Sequence, residues 1–337
     1  MKRIKKISVA IAAYRGEKYI AEQLRSLFSQ TRVVDEIIIS DDSEDSRTEQ
    51  VVRQEAANWN GELKYIRNLQ KKGIEANFRN AVRAASGDMV FLCDQDDVWL
   101  PEKVETLANE LESHPECQVV ACNSEMVSAA LKPLGRTIPA DMKTAEPIIT
   151  AINHKNAFPY MLALKMIIPG HAMAMTRAFV PLFLAMPDKM KFHDVWLEQT
   201  AALFETMHYV NKTLTLYRVH ENNASTPLKN TGGKGIFARL KEVFQNHDDI
   251  NATLFLLDAL DSCVKNSEFT APERNVKCIN TNIKYFQDRL RLRSFWRPFP
   301  TRRSSDLFRF LALTPSLVRN YFQLGTGWRA LLRDQLF

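Results

Sequence analysis

Three carboxylates follow one apolar run in the N-terminal half of the chain. Residues 89–93 have the length of a buried strand, and Asp94, Gln95, Asp96 and Asp97 come directly after them. Because side chains alternate along an extended segment, Asp94 and Asp96 leave on the same face. Neighbouring carboxylates repel unless a cation lies between them, and Mg²⁺ or Mn²⁺ takes carboxylate oxygens and shares a ligand's phosphates. The pattern predicts a metal-diphosphate site. The alternative is an acidic turn in which Asp97 caps the next helix.

Strands and helices alternate over the first 125 residues. The predicted strands are 7–13, 36–40, 63–66, 89–93 and 118–121, and the predicted helices are 17–30, one through 51–52, 74–85 and 104–111. This alternation favours parallel pairing with right-handed crossovers, and ligands of such sheets bind beyond the carboxyl ends of the strands. The tips at those ends, residues 14–16, 41–43 and 94–96, are therefore expected to form one cleft.

The remaining motifs narrow the class of ligand. Neither GxGxxG nor GxxxxGK[ST] follows a strand, which disfavours dinucleotide and P-loop chemistry. We expect Asp41 or Asp42 to accept hydrogen bonds from a base or ribose. A pair of acidic helix caps is the alternative.

The composition is that of an ordinary soluble protein. The 337 residues are 25% charged and 45% hydrophobic, with a net charge of +6. Five cysteines without metal-ligand spacing indicate reduced thiols in the cytoplasm. The basic N-terminus is too polar and its apolar run too short for a signal peptide, and no run reaches the roughly 18 apolar residues of a membrane span.

Six segments together resemble a known family. Residues 11–20 with Gln30 and Thr31, then 40–42 and 94–99, and later 170–174, 193–197 and 217–223, resemble the inverting GT-A glycosyltransferases of family 2, particularly the rhamnosyltransferase-like branch. The resemblance covers about residues 5–225. It implies an α/β GT-A fold, Rossmann-like, with a mainly parallel central sheet flanked by helices. It departs at Ser43-Glu44-Asp45, where the family has Gly-Ser-Thr-Asp, and at Arg15, where Asn is common.

The resemblance also implies a nucleotide-sugar donor, a divalent metal and transfer with inversion to a hydroxyl. Asp194 matches the catalytic base, which takes the acceptor proton; an N-terminal helix cap is its alternative. The expected donor-binding residues are Ala13, Tyr14, Asp41, Asp42, Asp94, Gln95 and His193. The expected acceptor-binding residues are Trp99, Trp196 and His171, and the expected ligands of Mg²⁺ or Mn²⁺ are Asp94, Asp96 and His220. A structural role is the alternative for His171. A polar loop that binds no ligand is the alternative for His220.

The second half is expected to serve the acceptor. Residues 126–150 are predicted to form a loop over the cleft, and residues 170–176 a short strand. We divide the chain into a catalytic domain at 1–232, with a nucleotide-sugar half at 1–125 and an acceptor half at 126–232, and a helical basic and aromatic region at 233–337.

The C-terminal region is basic and aromatic. From residue 289 onward the sequence contains ten arginines and only two acidic residues, and the arginines are interleaved with Phe, Tyr and Trp. This composition predicts a surface that lies on anionic lipid, with a solvated helical cap as the alternative. Nucleic acid is not expected, because no recognised module for it is present.

The combined hypothesis is a metal-dependent inverting hexosyltransferase that extends a cell-surface glycan on a lipid-linked acceptor. The donor is dTDP-rhamnose or a UDP-sugar, and the enzyme is cytoplasmic and peripheral on the inner face of the plasma membrane. Two alternatives stay open. A sugar-phosphate nucleotidyltransferase should carry a glycine- and lysine-rich loop, which is absent. A catalytically silent nucleotide-binding or scaffold protein is supported by Ser43-Glu44.

Overall fold

The chain contains two compact units, residues 1–230 and 231–337. Its structure, a computed structural model, describes residues 3–69, 72–138, 145–164, 168–190, 192–221, 223 and 250–295.

Within those ranges the first unit is built on one nine-stranded sheet. The strands are β1 (Ile7–Ala13), β2 (Glu36–Asp41), β3 (Glu62–Arg67), β4 (Met89–Asp94), β5 (Val98–Trp99), β6 (Val119–Ser128), β7 (Pro133–Ile138), β8 (Met173–Thr176) and β9 (Met207–Val219). Their order is β3-β2-β1-β4-β8-β6-β9-β5, and β7 pairs with β6. The strands β3, β2, β1 and β4 are mutually parallel, as are β6 and β9. Strand β8 runs antiparallel to both of its neighbours.

Helices and short 3₁₀ turns flank this sheet. The helices are α1 (Ile20–Phe28), α2 (Arg47–Glu55), α3 (Ile74–Ala84), α4 (Lys103–Ser113), α5 (Ala145–Asn153), α6 (Phe158–Leu164), α7 (Val180–Leu184) and α8 (His193–Leu203). The 3₁₀ turns are Ala56–Asn58, Gly170–Ala172 and Arg177–Phe179.

The core lies on both faces of the parallel strands. Every residue of β2, and all but Asp94 of β4, is buried, which explains their continuous apolar runs. Helix α3 buries Phe78, Ala81 and Val82, and it packs on β1 and β2. Burying a side chain such as Phe78 contributes about 1.5–3 kcal/mol. This packing fixes the carboxyl ends of the strands, where the polar tips lie.

The prediction of a loop over residues 126–150 was wrong. Strand β6 continues to Ser128, β7 pairs back onto it, and α5 begins at Ala145. Strand β7 begins at Pro133 and exposes its first four residues, so it lacks the apolar alternation by which a strand is recognised. The expected strand at 170–176 is a 3₁₀ turn followed by β8.

The second unit, within the described residues, is a pair of packed helices. Helix α9 spans Ile250–Asn266 and helix α10 spans Glu273–Phe295. Leu257, Leu260 and Ile279 are buried, and the helical character predicted for 233–337 is found over 250–295. No helix in the described part of the chain is both long and apolar enough to cross a bilayer. Residues 233–249 of the predicted helical region and the arginines from 297 onward lie outside the described residues.

Candidate functional site

The tips of β1, β2 and β4 lie at one edge of the sheet. Ala13 is paired with Asp41, and the residue before Ala13 is paired with Asp94. Gln95 links two of the tips, because its Oε1 accepts from the Tyr14 backbone N–H at 3.0 Å and its Nε2 donates to the Tyr14 carbonyl at 2.9 Å. The tips that the sequence predicted to converge therefore contact one another.

The turn after β1 is shaped by backbone conformation. Arg15 has a φ of +49°, in the left-handed region that Asn tolerates better than most residues. A Cβ on Gly16 would lie 2.2 Å from Gln95 Oε1, so the contact between the tips requires glycine there. The Arg15 backbone N–H donates to Ser43 Oγ at 2.8 Å, and its guanidinium lies 3.0 Å from Glu44. Arg15 thus pairs with a residue of the unusual Ser43-Glu44 loop.

Asp41 and Asp42 are buried and engaged within the protein. Asp41 accepts from the backbone and hydroxyl of Ser43 at 2.9 and 2.6 Å and from Tyr65 OH at 2.5 Å. Asp42 accepts from Asn68 Nδ2 at 2.9 Å and from the Gly73 N–H at 2.5 Å, and burial raises the pKa of its carboxyl. Neither caps α2, whose N-cap residue is Ser46, whereas the N–H that Asp42 accepts belongs to Gly73, the N-cap residue of α3.

In the acidic loop, residues 94–97, two carboxylates flank a buried histidine. His171 Nδ1 lies 3.4 Å from Asp94 Oδ2 and 3.4 Å from Asp97 Oδ2, and its Nε2 is 3.0 Å from Ser124 Oγ. Burial raises the pKa of Asp97 to about 7. For Asp94 burial acts the same way, but the hydrogen bond and charge of His171 outweigh it and lower the pKa. Burial lowers the pKa of His171, yet the charges of Asp97 and Asp94 bring it above its ordinary value.

A buried lysine, which the sequence did not reveal, supports this histidine. Lys103 Nζ donates to the His171 carbonyl at 2.7 Å and to Thr215 Oγ1 at 2.8 Å, and it lies 3.8 Å from the ring centroid of Trp99. Burial lowers the pKa of Lys103. Nothing in the sequence signals that this side chain, in the first turn of a helix, is buried.

The other half of the acidic loop faces β9. Asp96 Oδ2 lies 2.8 Å from His220 Nε2, whose ring stacks on Tyr19 with centroids 4.7 Å apart. Arg218, buried and also missed from the sequence, donates from Nε to the Asp96 carbonyl at 2.7 Å and from its backbone N–H to Asp97 Oδ1 at 3.0 Å. Asp97 is therefore held by β9 and does not cap α4, whose N-cap residue is Glu102.

Asp194 stands in the first turn of α8, as predicted. Its carboxylate is half-buried and accepts from the adjacent Val195 N–H at 2.9 Å. His193 stacks on Phe78 with centroids 4.0 Å apart, and a Cβ on Gly170 would lie 2.5 Å from His193 Nε2. Since Gly170 precedes His171, one short 3₁₀ turn joins the start of α8 to the acidic loop.

The predicted acceptor contacts of the two tryptophans are wrong. Trp99 is 2% exposed and Trp196 is 0% exposed, and Trp196 Nε1 donates to the Leu182 carbonyl at 2.9 Å. Both side chains pack the interior and offer no surface to an acceptor. His171, which is 1% exposed, also cannot touch an acceptor directly and instead contacts Asp94 and Asp97.

The donor set at the acidic loop fits a divalent cation. Atoms of Asp94, Asp97 and His171 lie within 4.8 Å of one another, and the buried Asp97 Oδ2 accepts no hydrogen bond among the described residues. The Asp94 side chain is 37% exposed, so one carboxylate faces outward. Carboxylate oxygens with an imidazole suit Mg²⁺ or Mn²⁺ that completes its shell with phosphate or water.

The sheet and its acidic loop define a GT-A glycosyltransferase scaffold, and comparison with known proteins agrees. The family model for glycosyl transferase family 2 matches residues 8–179, half of the chain, and the chain belongs to this family.

Curated relatives match over part of their length. YwdF of Bacillus subtilis, an uncharacterized glycosyltransferase, is 36% identical over 121 residues, 34% of this chain and 43% of YwdF. An uncharacterized glycosyltransferase of Haemophilus influenzae is 27% identical over 161 residues, 47% of this chain and 52% of that protein. The chain spans about a third to a half of the length of the curated relatives it matches.

Solved structures show the same fold. TarS 1-349 of S. aureus in complex with UDP-GlcNAc gives a TM-score of 0.55 at 17% identity, over 94% of this chain and 81% of that one. The mannosyltransferase PcManGT of Pyrobaculum calidifontis, in complex with GDP-Man and Mn²⁺, gives 0.54 at 16% identity, over 100% of this chain and 87% of that one. The predicted GT-A fold with C-terminal helices is confirmed.

Proposed function

We propose that the chain is a metal-dependent, inverting glycosyltransferase that moves a hexose from a nucleotide-sugar donor to a hydroxyl of a cell-surface glycan. The observation that carries the proposal is the Gly170-His171 turn. In this turn Gly170 lies against His193 and Asp194 at the start of α8. The next residue, His171, lies 3.4 Å from Asp94. This contact supports a proton acceptor placed beside an acidic loop that is suited to a metal-bound diphosphate.

In this proposal one set of residues binds the metal and another residue accepts the proton. The proposed ligands of Mg²⁺ or Mn²⁺ are Asp94, Asp96 and His220, and His220 lies 2.8 Å from Asp96. The alternative set is Asp94 with the buried Asp97 and His171, whose donor atoms lie within 4.8 Å of one another. When bound, the cation neutralises charge that develops on the leaving diphosphate. Asp194 takes the proton of the acceptor hydroxyl while the diphosphate leaves from the opposite face of the sugar through an oxocarbenium-like state.

The donor lies on the tips of β1 and β2 in this proposal. Tyr14 is 46% exposed beside Gln95, and Asp41 and Asp42 hold the loop against which a base and ribose would rest. TarS with UDP-GlcNAc and PcManGT with GDP-Man support a nucleotide sugar as the donor class. Within that class we propose dTDP-rhamnose or a UDP-sugar, with a lipid-linked acceptor at the inner face of the plasma membrane.

A catalytically silent scaffold is the second candidate, since Ser43-Glu44 departs from the family pattern. Ser43 nevertheless receives the Arg15 N–H and donates to Asp41, so the turn beside the donor site is formed. This ordering favours the enzyme.

A thermal-shift screen followed by a transfer assay tests the proposal. The full chain with Mn²⁺ is melted alone and with dTDP-rhamnose, UDP-glucose, UDP-GlcNAc or GDP-mannose. A donor at 100 times its Kd should stabilise the native state by about 2.7 kcal/mol, or roughly 5–10 °C in Tm. The same donor should then be consumed when a glycan acceptor is added. Stabilisation without turnover over a broad acceptor panel supports the scaffold, and no selective shift with any nucleotide sugar contradicts both.

A further inference from the structure

We propose that Glu110, His114 and His208 form a second divalent-metal site, suited to Zn²⁺ or a similar transition metal and separate from the acidic loop. The site does not depend on the proposed function. One donor atom from each of the three residues lies within 4.8 Å of the others.

Their positions follow from the two elements that carry them. Glu110 and His114 are four residues apart in the last turn of α4 and the residue after it, so they share one face. His208 is the second residue of β9, which packs on α4. The opposite ends of both elements lie toward the other site, because Lys103 of α4 donates to the His171 carbonyl and the Arg218 N–H of β9 donates to Asp97.

The distances suit a tetrahedral ion. Glu110 Oε2 lies 3.5 Å from His114 Nδ1 and 3.3 Å from His208 Nε2. Ligands bound at roughly 2.0–2.2 Å in a tetrahedron stand about 3.4 Å apart. The imidazole rings stack with centroids 4.0 Å apart and planes at 20°, and His114 Nδ1 also contacts the Glu110 carbonyl at 2.9 Å. A ring must turn before both lone pairs point at one ion, which the partial exposure of these side chains permits.

The ligand chemistry selects the class of metal. Two imidazoles and one carboxylate are the donors that Zn²⁺, Co²⁺ and Ni²⁺ prefer, whereas Mg²⁺ and Mn²⁺ favour oxygen-rich sites such as the acidic loop. The side chains of Glu110, His114 and His208 are 34%, 37% and 16% exposed, which leaves the fourth position to water. Three protein ligands with one open position is an arrangement that zinc adopts in proteins.

The surrounding charges leave room for a cation. The charge of Lys155 acts on His208, but its ammonium is engaged by Cys117 Sγ at 2.8 Å, the Met207 carbonyl at 3.2 Å and Glu116 at 3.8 Å. The bound ion would cross-link α4 to β9. It should therefore stabilise the native state by an amount that rises with the logarithm of the free metal concentration above its Kd.

Titration of Zn²⁺ and Co²⁺ into the untagged full chain tests this site. We expect wild type to bind one more equivalent of Zn²⁺ than His114→Gln or His208→Gln, or at least about tenfold more tightly at that site. Co²⁺ should give the visible absorption of a tetrahedral complex in wild type only, and Zn²⁺ should raise the Tm of wild type only. His154→Gln, which alters an exposed histidine outside the cluster, should behave as wild type.

Folding of each variant is checked by circular dichroism. If the histidine variants misfold, Glu110→Gln keeps the stacked rings and should still weaken Zn²⁺ binding by a similar factor. Unchanged stoichiometry and affinity in correctly folded variants overturns the proposal.

Discussion

At the residue scale, the acidic loop is stable because cationic groups reach it from outside the loop. His171 lies between Asp94 and Asp97, Lys103 supports the backbone of His171, and Arg218 binds the loop's own backbone. Burial would otherwise shift the loop toward protonated carboxyls, as the raised pKa of Asp97 shows. The partially exposed Asp94 keeps a lowered pKa and stays ionised for a ligand.

The first prediction at this scale concerns Asp194. Asn has the shape of Asp but cannot take the acceptor proton, so Asp194→Asn should lower kcat about 100- to 10,000-fold while donor Kd stays near the wild-type value. Steady-state transfer and donor titration measure the two quantities. Asp188→Asn is the matched control, because Asp188 lies before the same helix and pairs with Arg79 at the surface. Near-normal turnover in Asp194→Asn would show that another residue is the catalytic base.

The second residue-scale prediction concerns the metal. If Asp96 binds the donor through a cation, Asp96→Asn should weaken donor binding in Mn²⁺ by at least tenfold. In EDTA, wild type and variant should bind the donor equally weakly, because the two changes remove the same interaction. Calorimetric titration with and without EDTA gives all four affinities. An equal loss from the mutation in both conditions would show that Asp96 acts without metal.

At the element scale, the parallel strands are joined by a buried charged cluster at their amino ends. Glu36, the first residue of β2, accepts from Lys64 Nζ at 2.6 Å, from Ser8 Oγ at 2.5 Å and from Ser86 N–H and Oγ at 2.8 and 2.9 Å. These groups come from β1, β3 and the turn before β4. The Glu36 side chain therefore links β2 by hydrogen bonds to β1, to β3 and to the turn before β4.

Glu36 gives a stability prediction with a defined pH window. Burial raises its pKa, but the hydrogen bonds of Lys64, Ser8 and Ser86 outweigh that effect and lower it to about 2. A depressed carboxyl pKa stabilises the fold above the ordinary value of 4.5, and this stability is lost as pH falls through 2. Glu36→Gln should cost on the order of 3 kcal/mol at neutral pH and flatten the acid limb of the stability curve. Urea denaturation from pH 2 to 7 measures both effects.

Glu62→Gln is the control for that experiment. Glu62 also contacts Lys64, at 3.2 Å, but its side chain is 50% exposed, so its loss should cost less than about 1 kcal/mol. Equal costs for the two substitutions would contradict a special role of the buried carboxylate.

The sequence predicted well the strands that are buried on both faces of the sheet. It predicted poorly the strands that are exposed to solvent. Strand β1 has the predicted bounds, whereas the exposed β7 was missed. The same-face argument for Asp94 and Asp96 used strand periodicity beyond the end of β4, where the chain turns. Lys103 and Arg218 were missed because a long basic side chain gives no sequence signal of being buried. Such contacts depend on tertiary packing across about 70–120 residues.

At the scale of the whole molecule, the chain joins a unit with the GT-A fold to a second unit whose sequence includes a basic segment. Residues 296–337 contain seven arginines and two aspartates, together with Trp296, Trp328 and several phenylalanines. Under the proposed function, a lipid-linked acceptor lies in the membrane plane, so a surface anchor would raise its local concentration. The arginine-rich segment is our candidate for that anchor.

The last prediction follows from the magnitude of that attraction. Each basic side chain near an anionic leaflet contributes roughly 1 kcal/mol, so three or four arginines give on the order of 3–4 kcal/mol, enough for reversible binding. We expect the full chain to co-sediment with anionic vesicles at low ionic strength and to be released by high salt. Changing Arg302, Arg303, Arg309 and Arg319 to Gln should abolish co-sedimentation while transfer to a water-soluble acceptor continues. Equal binding to neutral vesicles, or unaltered binding by the variant, would assign these arginines to a protein partner or to internal packing.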